Sequence, residues 1–468
     1  MPAMPSSAGA RPATIFARAT PPGRGAVAII RLSGPATDAA LTALTGGRDL
    51  PVARMAVVRR LVDPADGRML DQALVLRFEG PASYSGEDAA ELHLHGGPAV
   101  VAGVLDALGR LPGLVPAGPG DFTRRAVLNG RLDLTAAEAV ADLVAADTAA
   151  QAGQALAQLG GRLGRMVEDW RARLIRAAAM VEAEIDFPDE DVPDGIARSV
   201  APAILKLAAE LRLALADDRS GERLRDGVVA AVIGRPNAGK SSLVNALAGR
   251  DIAIVTDRPG TTRDLIEVAL DLDGVAVTLI DTAGLRDSDD PIELEGVRRA
   301  RARAGTADIR IVVVDPAGIA AAGGLGALLA EAGARPGDPV VLTRRDQLGD
   351  QAVTALTATL PPGHQASAVS CVSGLGMEDF ARRLSGIAAD LTGGREGAMI
   401  TRARHRAALE AAADGLMAAV AGLDHPVPML ELVAEDLRMA GDALGRITGR
   451  IDVEDLLDAI FREFCIGK

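Results

Sequence analysis

Apolar positions in this chain change period several times, and each change marks an element. Ala26-Val27-Ala28-Ile29-Ile30-Arg31-Leu32 is a nearly unbroken apolar run closed by Ser33-Gly34-Pro35, and it reads as a strand. Asp71 to Phe78 reads as a second strand, and Ala90 to His95 alternates like a third. Helical stretches follow Pro35 and the pair Gly97-Pro98, so residues 13–130 predict an α+β domain. From 131 the period lengthens. Leu143, Leu156, Leu159, Leu163, Met166, Val167, Trp170, Leu174 and Ile175 recur at roughly helical spacing, as a core stripe or helix–helix seam. Thr135-Ala136-Ala137-Glu138 reads as a capping box that opens a long alanine-rich helix. Phe187 to Asp194 breaks the helices; its acidic residues lack Ca²⁺-loop spacing and read as a solvated turn. Another helix is expected over 201–216.

Between about 227 and 388 short apolar strands return. They lie at Val228 to Ile233, Leu265 to Leu272, Val275 to Ile280, Ile309 to Val314, Val340 to Thr343 and Ala366 to Ser370. This predicts a doubly wound sheet that binds its ligand at the carboxyl edge. Three amphipathic helices follow, from Arg402 to about Val420, Met429 to Leu444 and Asp452 to Phe464. They have no partner in their own short block. The expectation is one helical domain, 131–226 and 389–468, interrupted by the domain at 227–388. Arg402, Arg404 and Arg406 read as an RNA contact or, more commonly for such a run, a solvated helix start.

Composition narrows the class. In 468 residues, 49% are hydrophobic and only 2% aromatic, so the cores must be Ala, Leu, Val and Ile. The formal net charge of −13 argues against a whole-surface nucleic-acid footprint. Two distant cysteines, Cys371 and Cys465, do not make a disulfide framework and point to a reducing cytoplasm. No apolar run is long enough for a membrane span. Residues 1–12 are Pro/Ala/Ser-rich and read as a disordered leader.

Chemistry concentrates after Ile233. Gly234-Arg235-Pro236-Asn237-Ala238-Gly239-Lys240-Ser241 is G-x-x-x-x-G-K-S between a strand and a helical stretch. Its N–H groups suit a polyphosphate, with Lys240 on the β- and γ-phosphates and Ser241 on Mg²⁺. Asp257-Arg258-Pro259-Gly260-Thr261-Thr262 carries a threonine able to ligate Mg²⁺ in a switch loop. Asp281-Thr282-Ala283-Gly284 is a D-x-x-G turn at a strand end. Together the three elements indicate a GTPase-type domain. Leu285 follows that turn and cannot orient a water, so another group must. Glu293 is the nearest candidate, and a solvated surface charge reads equally well there. Asn237 is placed to help hold a monovalent cation that offsets transition-state charge. Arg31 and Glu91 are charges on strands, and either alone reads as a solvated face. His93 and His95 share a strand face, but no Cys or acidic cluster supports a metal site.

The chain resembles the tRNA-modifying GTPase family MnmE (TrmE) over nearly its whole length. The resemblance is carried by Ala19 to Gly25, Ser83 to Asp88, Pro119 to Ala126, Leu128 to Leu134, the GTPase motifs, and the tail Phe464-Cys465-Ile466-Gly467-Lys468. It implies a multidomain α/β and α fold: an N-terminal α+β folate-binding and dimerisation domain, a discontinuous helical domain, and an inserted Ras-like P-loop GTPase domain. It implies that Arg31, Glu91, Arg131 and Lys468 line a site for a tetrahydrofolate one-carbon donor. It also implies nucleotide contacts by Asn237, Ala238, Gly239, Lys240, Ser241, Ser242, Thr256, Asp257, Arg258, Pro259, Gly260, Thr261, Thr262, Asp281, Thr282, Ala283, Gly284 and Asp346. Mg²⁺ falls to Ser241 and Thr262, and K⁺ to Asn237, Thr256, Arg258 and Thr261. Glu293 becomes the catalytic glutamate, and Cys465 takes the place of a cysteine needed for modification. The implied activity is K⁺-stimulated GTP hydrolysis by a cytoplasmic homodimer. With an MnmG-like FAD protein it would modify carbon 5 of the wobble uridine of certain tRNAs.

Two motifs depart from the pattern. Guanine is normally read by N-K-x-D, but here the stretch is Thr343-Arg344-Arg345-Asp346. The usual S-A-K turn is Ser370-Cys371-Val372. Phosphate binding is expected to survive, with weaker or less selective guanine binding. Two rival readings are a regulatory GTPase switch in ribosome assembly and a folate-binding protein with a weakened GTPase domain. The first predicts a basic RNA module and leaves the tail unexplained.

Overall fold

The computed structural model describes residues 13–186, 195–216, 219–250, 252, 267–282, 305–393, 399–451, 457, 460–461 and 464–468. The chain divides into two compact units. One comprises residues 1–141, 159–175 and 441–468; the other comprises 142–158 and 176–440, so the helical segments are shared between them.

The first unit is built on a six-stranded sheet. Its strands are β1 (Thr14–Arg18), β2 (Val27–Ser33), β3 (Val57–Val62), β4 (Met69–Phe78), β5 (Ala89–His95) and β6 (Leu114–Pro116), in the order β3-β4-β5-β2-β1-β6. Ala28, Ile30 and Leu32 alternate inward on β2, opposite Leu92 and Leu94 on β5. The helices Thr37–Leu44 and Pro98–Gly109 bury Leu41, Leu44, Val104 and Leu108 against this face. The α+β expectation for this region is met. On the other side of the register Arg31 stands directly opposite Glu91.

The helix Leu134–Ala145 opens differently from the capping-box expectation. Asp133, not Thr135, is the cap: its Oδ1 accepts from the Ala136 N–H at 2.7 Å and from the Thr135 hydroxyl at 2.7 Å. An aspartate two positions earlier outcompetes the threonine because its carboxylate reaches the free amide of the first turn. The expected long helix is three: Leu134–Ala145, Ala149–Leu159 and Arg162–Asp186. Within the first unit Leu163, Val167, Trp170 and Leu174 are buried, whereas Ile175 is exposed. The expected acidic turn at Phe187 to Asp194 and the leader 1–12 lie outside the described residues. Of the expected helix 452–464, only Leu457, Ile460, Phe461 and Phe464 are described. They pack on Leu134 and Ala137, with the two phenyl rings edge to face at 5.0 Å.

The second unit contains a second six-stranded sheet. Its strands are β7 (Val228–Ile233), β8 (Glu267–Leu272), β9 (Val275–Asp281), β10 (Ile309–Val314), β11 (Pro339–Leu342) and β12 (Gln365–Ala368), in the order β12-β11-β10-β7-β9-β8. All pairings are parallel except β8 with β9. The near-continuous apolar character of β7, β10 and β11 follows from helices covering both faces. In the same unit the helix Ala403–Asp424 packs along Ala201–Leu215, as its amphipathic pattern requires. Arg402 and Arg406 are neither an RNA face nor a solvated helix start. Arg402 pairs with Asp142 at 2.6 Å and Arg406 with Glu222 at 2.9 Å, all four side chains being largely buried. Asp142 also takes Arg225 at 3.0 Å, so these guanidinium groups tie helices of this unit together.

Candidate functional site

The phosphate loop leaves β7 at Gly234, whose φ is +144°. A Cβ there would lie 2.3 Å from the Val313 carbonyl oxygen on β10, so only glycine permits the approach. Asn237 and Gly239 are also left-handed, at φ +62° and +98°, and Gly239 caps the helix Lys240–Ala248. Peptide N–H groups and a helix N-terminus thereby converge on one cavity of about 940 Å³. Asn237, Gly239, Lys240, Ser241, Ser242, Thr282 and Asp346 line it together. Lys240 is 7% exposed, and its Nζ donates to the carbonyls of Gly234 at 2.8 Å and Arg235 at 2.9 Å. Burial lowers the pKa of this ammonium, and the nearby Asp281 carboxylate opposes that shift. A polyphosphate would supply the anionic partner that favours the charged form. Beside the loop, Arg235 forks onto Glu331 with Nε contacts of 2.9 and 3.0 Å.

At the end of β9 Asp281 is buried, and the Thr282 hydroxyl donates to the Val232 carbonyl at 2.6 Å. This fixes the start of the D-x-x-G turn against β7. The Ser241 hydroxyl and the Asp281 carboxylate are hard oxygen donors of the kind Mg²⁺ takes. The far end of the cavity is lined by Thr343, Arg344, Asp346, Gln347 and Ser370 to Val372. Cys371 there has its thiol pKa pushed up, first by burial and then by the Asp346 charge. Thr256 to Thr262, Ala283, Gly284, Leu285 and Glu293 lie outside the described residues.

A smaller pocket, about 80 Å³, opens in the first unit. Arg31, Ser33, Phe78, Tyr84, Ser85, Glu91 and Phe122 are among its lining residues. Arg31 donates from Nε and Nη2 to Glu91 Oε1 at 3.1 and 2.9 Å, and its guanidinium lies 5.4 Å from the Tyr84 ring and 5.8 Å from that of Phe122. Burial pushes the Tyr84 phenol up, partly offset by its 2.8 Å hydrogen bond with Thr123 and by the Arg31 charge. The tail closes beside this pocket. The Phe122 N–H donates to the Lys468 main-chain oxygen at 3.2 Å, and the Gly120 N–H to the Cys465 carbonyl at 3.4 Å. His93 and His95 are engaged by Glu91 at 3.3 Å and Asp71 at 2.7 Å. Among the described residues no cluster of His, Cys, Asp and Glu is arranged to hold a metal.

Comparison with known proteins decides the family. A model of the MnmE helical domain matches residues 134–465, and one of the GTP-binding protein TrmE N-terminus matches residues 14–131. The tRNA modification GTPase MnmE of Parvibaculum lavamentivorans is 52% identical, over 97% of this chain and 100% of that protein. Those of Phenylobacterium zucineum and Rhodospirillum rubrum are 50% and 51% identical, each over 97% of this chain and 99% of theirs. The chain belongs to the MnmE family.

Against the MnmE pattern the structure gathers some predicted residues and not others. Asn237, Gly239 to Ser242, Thr282 and Asp346 share one cavity, whereas Ala238 and Asp281 are buried and not among its lining residues. Of the four residues matched to the MnmE folate site, Arg31 and Glu91 line the small pocket. Arg131 is exposed beside Gly86, where a Cβ would sit 3.2 Å from its Cγ, and Lys468 reaches Phe122 through its main chain. Cys465 is an exposed, free thiol. Tyr84 and Phe122 were not singled out as site residues, although both fall in segments that carried the MnmE resemblance. An aromatic in a chain with only 2% of them was the available signal.

Proposed function

We propose that the chain hydrolyses GTP and couples that turnover to modification of carbon 5 of the wobble uridine in certain tRNAs. One observation carries the reading: Asn237, Lys240, Ser241, Thr282 and Asp346 converge on a single cavity between phosphate loop and base end. The relatives' name, tRNA modification GTPase, supports it. In this account Lys240 exchanges two loop carbonyls for phosphate oxygens. Ser241 and Thr262 would hold Mg²⁺, with Asp281 reaching it through water, and the ion when bound would offset charge on the phosphates. Asn237, Thr256, Arg258 and Thr261 hold K⁺, and Glu293 orients the water that Leu285 cannot. The MnmE resemblance further supports a tetrahydrofolate one-carbon unit at Arg31, Glu91, Arg131 and Lys468, a role for Cys465, a homodimer, an MnmG-like FAD partner and a cytoplasmic location. The small pocket fits only part of such a folate, its charged pair and two rings suiting a polar, planar head. Among the described residues no helix is long and apolar enough to cross a membrane.

The test is phosphate release from GTP with Mg²⁺ in KCl and in NaCl. Turnover should fall at least roughly tenfold in NaCl and be lost in Glu293→Ala. A protein with no potassium-dependent turnover and no Glu293→Ala effect is a folate-binding protein with a weakened GTPase domain instead.

A further inference from the structure

We propose that this cavity reads guanine through Asp346 on the six-membered-ring N–H face and offers no donor to N7, Thr343 being the specificity-determining residue that removes it. The inference rests on the nucleotide-binding reading above and deepens it. With phosphates at the Lys240 loop, the base falls at the opposite end, between Thr343 to Gln347 and Ser370 to Val372. An amide at 343 would carry two hydrogens and could serve a loop carbonyl and a base acceptor together. A threonine hydroxyl has one. Thr343 Oγ1 lies 2.9 Å from the Ala238 carbonyl and 3.3 Å from that of Val314, both acceptors, so its hydrogen is spent inside the protein. Its methyl faces the phosphate loop, where a Cβ on Gly239 would come within 3.2 Å of it.

Arg344 lines the same end of the cavity, but its guanidinium is drawn to another carboxylate, pairing with Asp315 Oδ2 at 2.9 Å. Asp346 is different: among the described residues nothing hydrogen-bonds its exposed carboxylate. That carboxylate is free to take the two adjacent N–H groups of guanine in a charge-assisted pair. Threonine thus keeps the structural tie to the loop and gives up the contact to the imidazole ring of the base.

Titration of the full-length protein with GDP, 7-deaza-GDP and XDP in Mg²⁺ tests this. In 7-deaza-GDP, N7 is a carbon. Its Kd should match that of GDP within about twofold. Thr343→Asn should tighten GDP by roughly two- to tenfold, as one neutral hydrogen bond does, and leave 7-deaza-GDP unchanged. Asp346→Asn should weaken GDP by roughly a hundredfold and admit XDP, whose 2-oxygen accepts from an amide. A fivefold or larger preference of the unaltered protein for GDP over 7-deaza-GDP, supplied by Gln347 or any other donor, overturns the inference while leaving the nucleotide site standing. Binding of no diphosphate at all overturns the nucleotide site and the inference with it.

Discussion

The nucleotide cavity takes most of its lining from two short stretches, 234–242 and 343–347. The pocket around Arg31 is assembled from side chains scattered between Arg31 and Phe122. The first is about 940 Å³ and shaped by left-handed residues in one loop; the second is about 80 Å³ and shaped by the register of β2 on β5. A site hung on one tight loop fails at the glycines that shape the loop as well as at the few side chains that meet the ligand. A site made of cross-strand side chains fails one residue at a time.

The hardest blow to the comparison is Lys240→Ala. It removes the one buried cation of the phosphate loop, and GTP turnover should drop by a factor of about 10² or more. The Arg31 pocket draws nothing from Lys240, so binding of 5-formyltetrahydrofolate should be unchanged in the same preparation. Loss of both activities would show that the two sites are not separable.

Next in size is Arg402→Ala. Asp142 would keep Arg225 but lose its closest guanidinium while 8% exposed, at a cost of about 2 kcal/mol in urea unfolding. A normal unfolding curve with weakened tRNA binding would return Arg402 to the RNA-facing role that the structure denies it.

Arg31→Ala tests the side-chain-built pocket directly. The Arg31–Glu91 pair is only partly shielded, each side chain being 21% exposed, so global stability should change by less than about 1 kcal/mol. Folate binding should fall roughly tenfold or more, since the guanidinium also sits against Tyr84 and Phe122. Equal losses of stability and binding would mean that the pair serves the sheet and not a ligand.

What was legible in the sequence follows the same division. The strand–loop–helix around Lys240 and the strands on either side of it are local, and their glycines and apolar runs state them outright. Arg31 and Glu91 were visible as misplaced charges, but their opposition depends on β2–β5 register, which no single strand carries. Arg402 and Arg406 read as surface charges in sequence because their partners lie 260 and 184 positions away. A surface charge run and a buried one look alike until the chain has folded. Thr343 reads as a lost amide in sequence; only the distance to Ala238 shows that its hydroxyl is already engaged.

The smallest effect separates two local signals that the sequence confused. Asp133→Ala should cost about 1 kcal/mol in thermal or urea unfolding, because the Ala136 amide loses its acceptor. Thr135→Ser keeps the hydroxyl and should cost less, by the burial of one methyl group, at about 0.8 kcal/mol or below. The two costs are close, so the decisive readout is their combination. If Asp133 is the cap, restoring it as Asn or Ser recovers most of the loss whichever residue stands at 135. If Thr135 were the cap, no residue at 133 would help. The helix start is then fixed by the first side chain that can reach a free amide, and the S/T-x-x-E pattern only echoes it two residues further on.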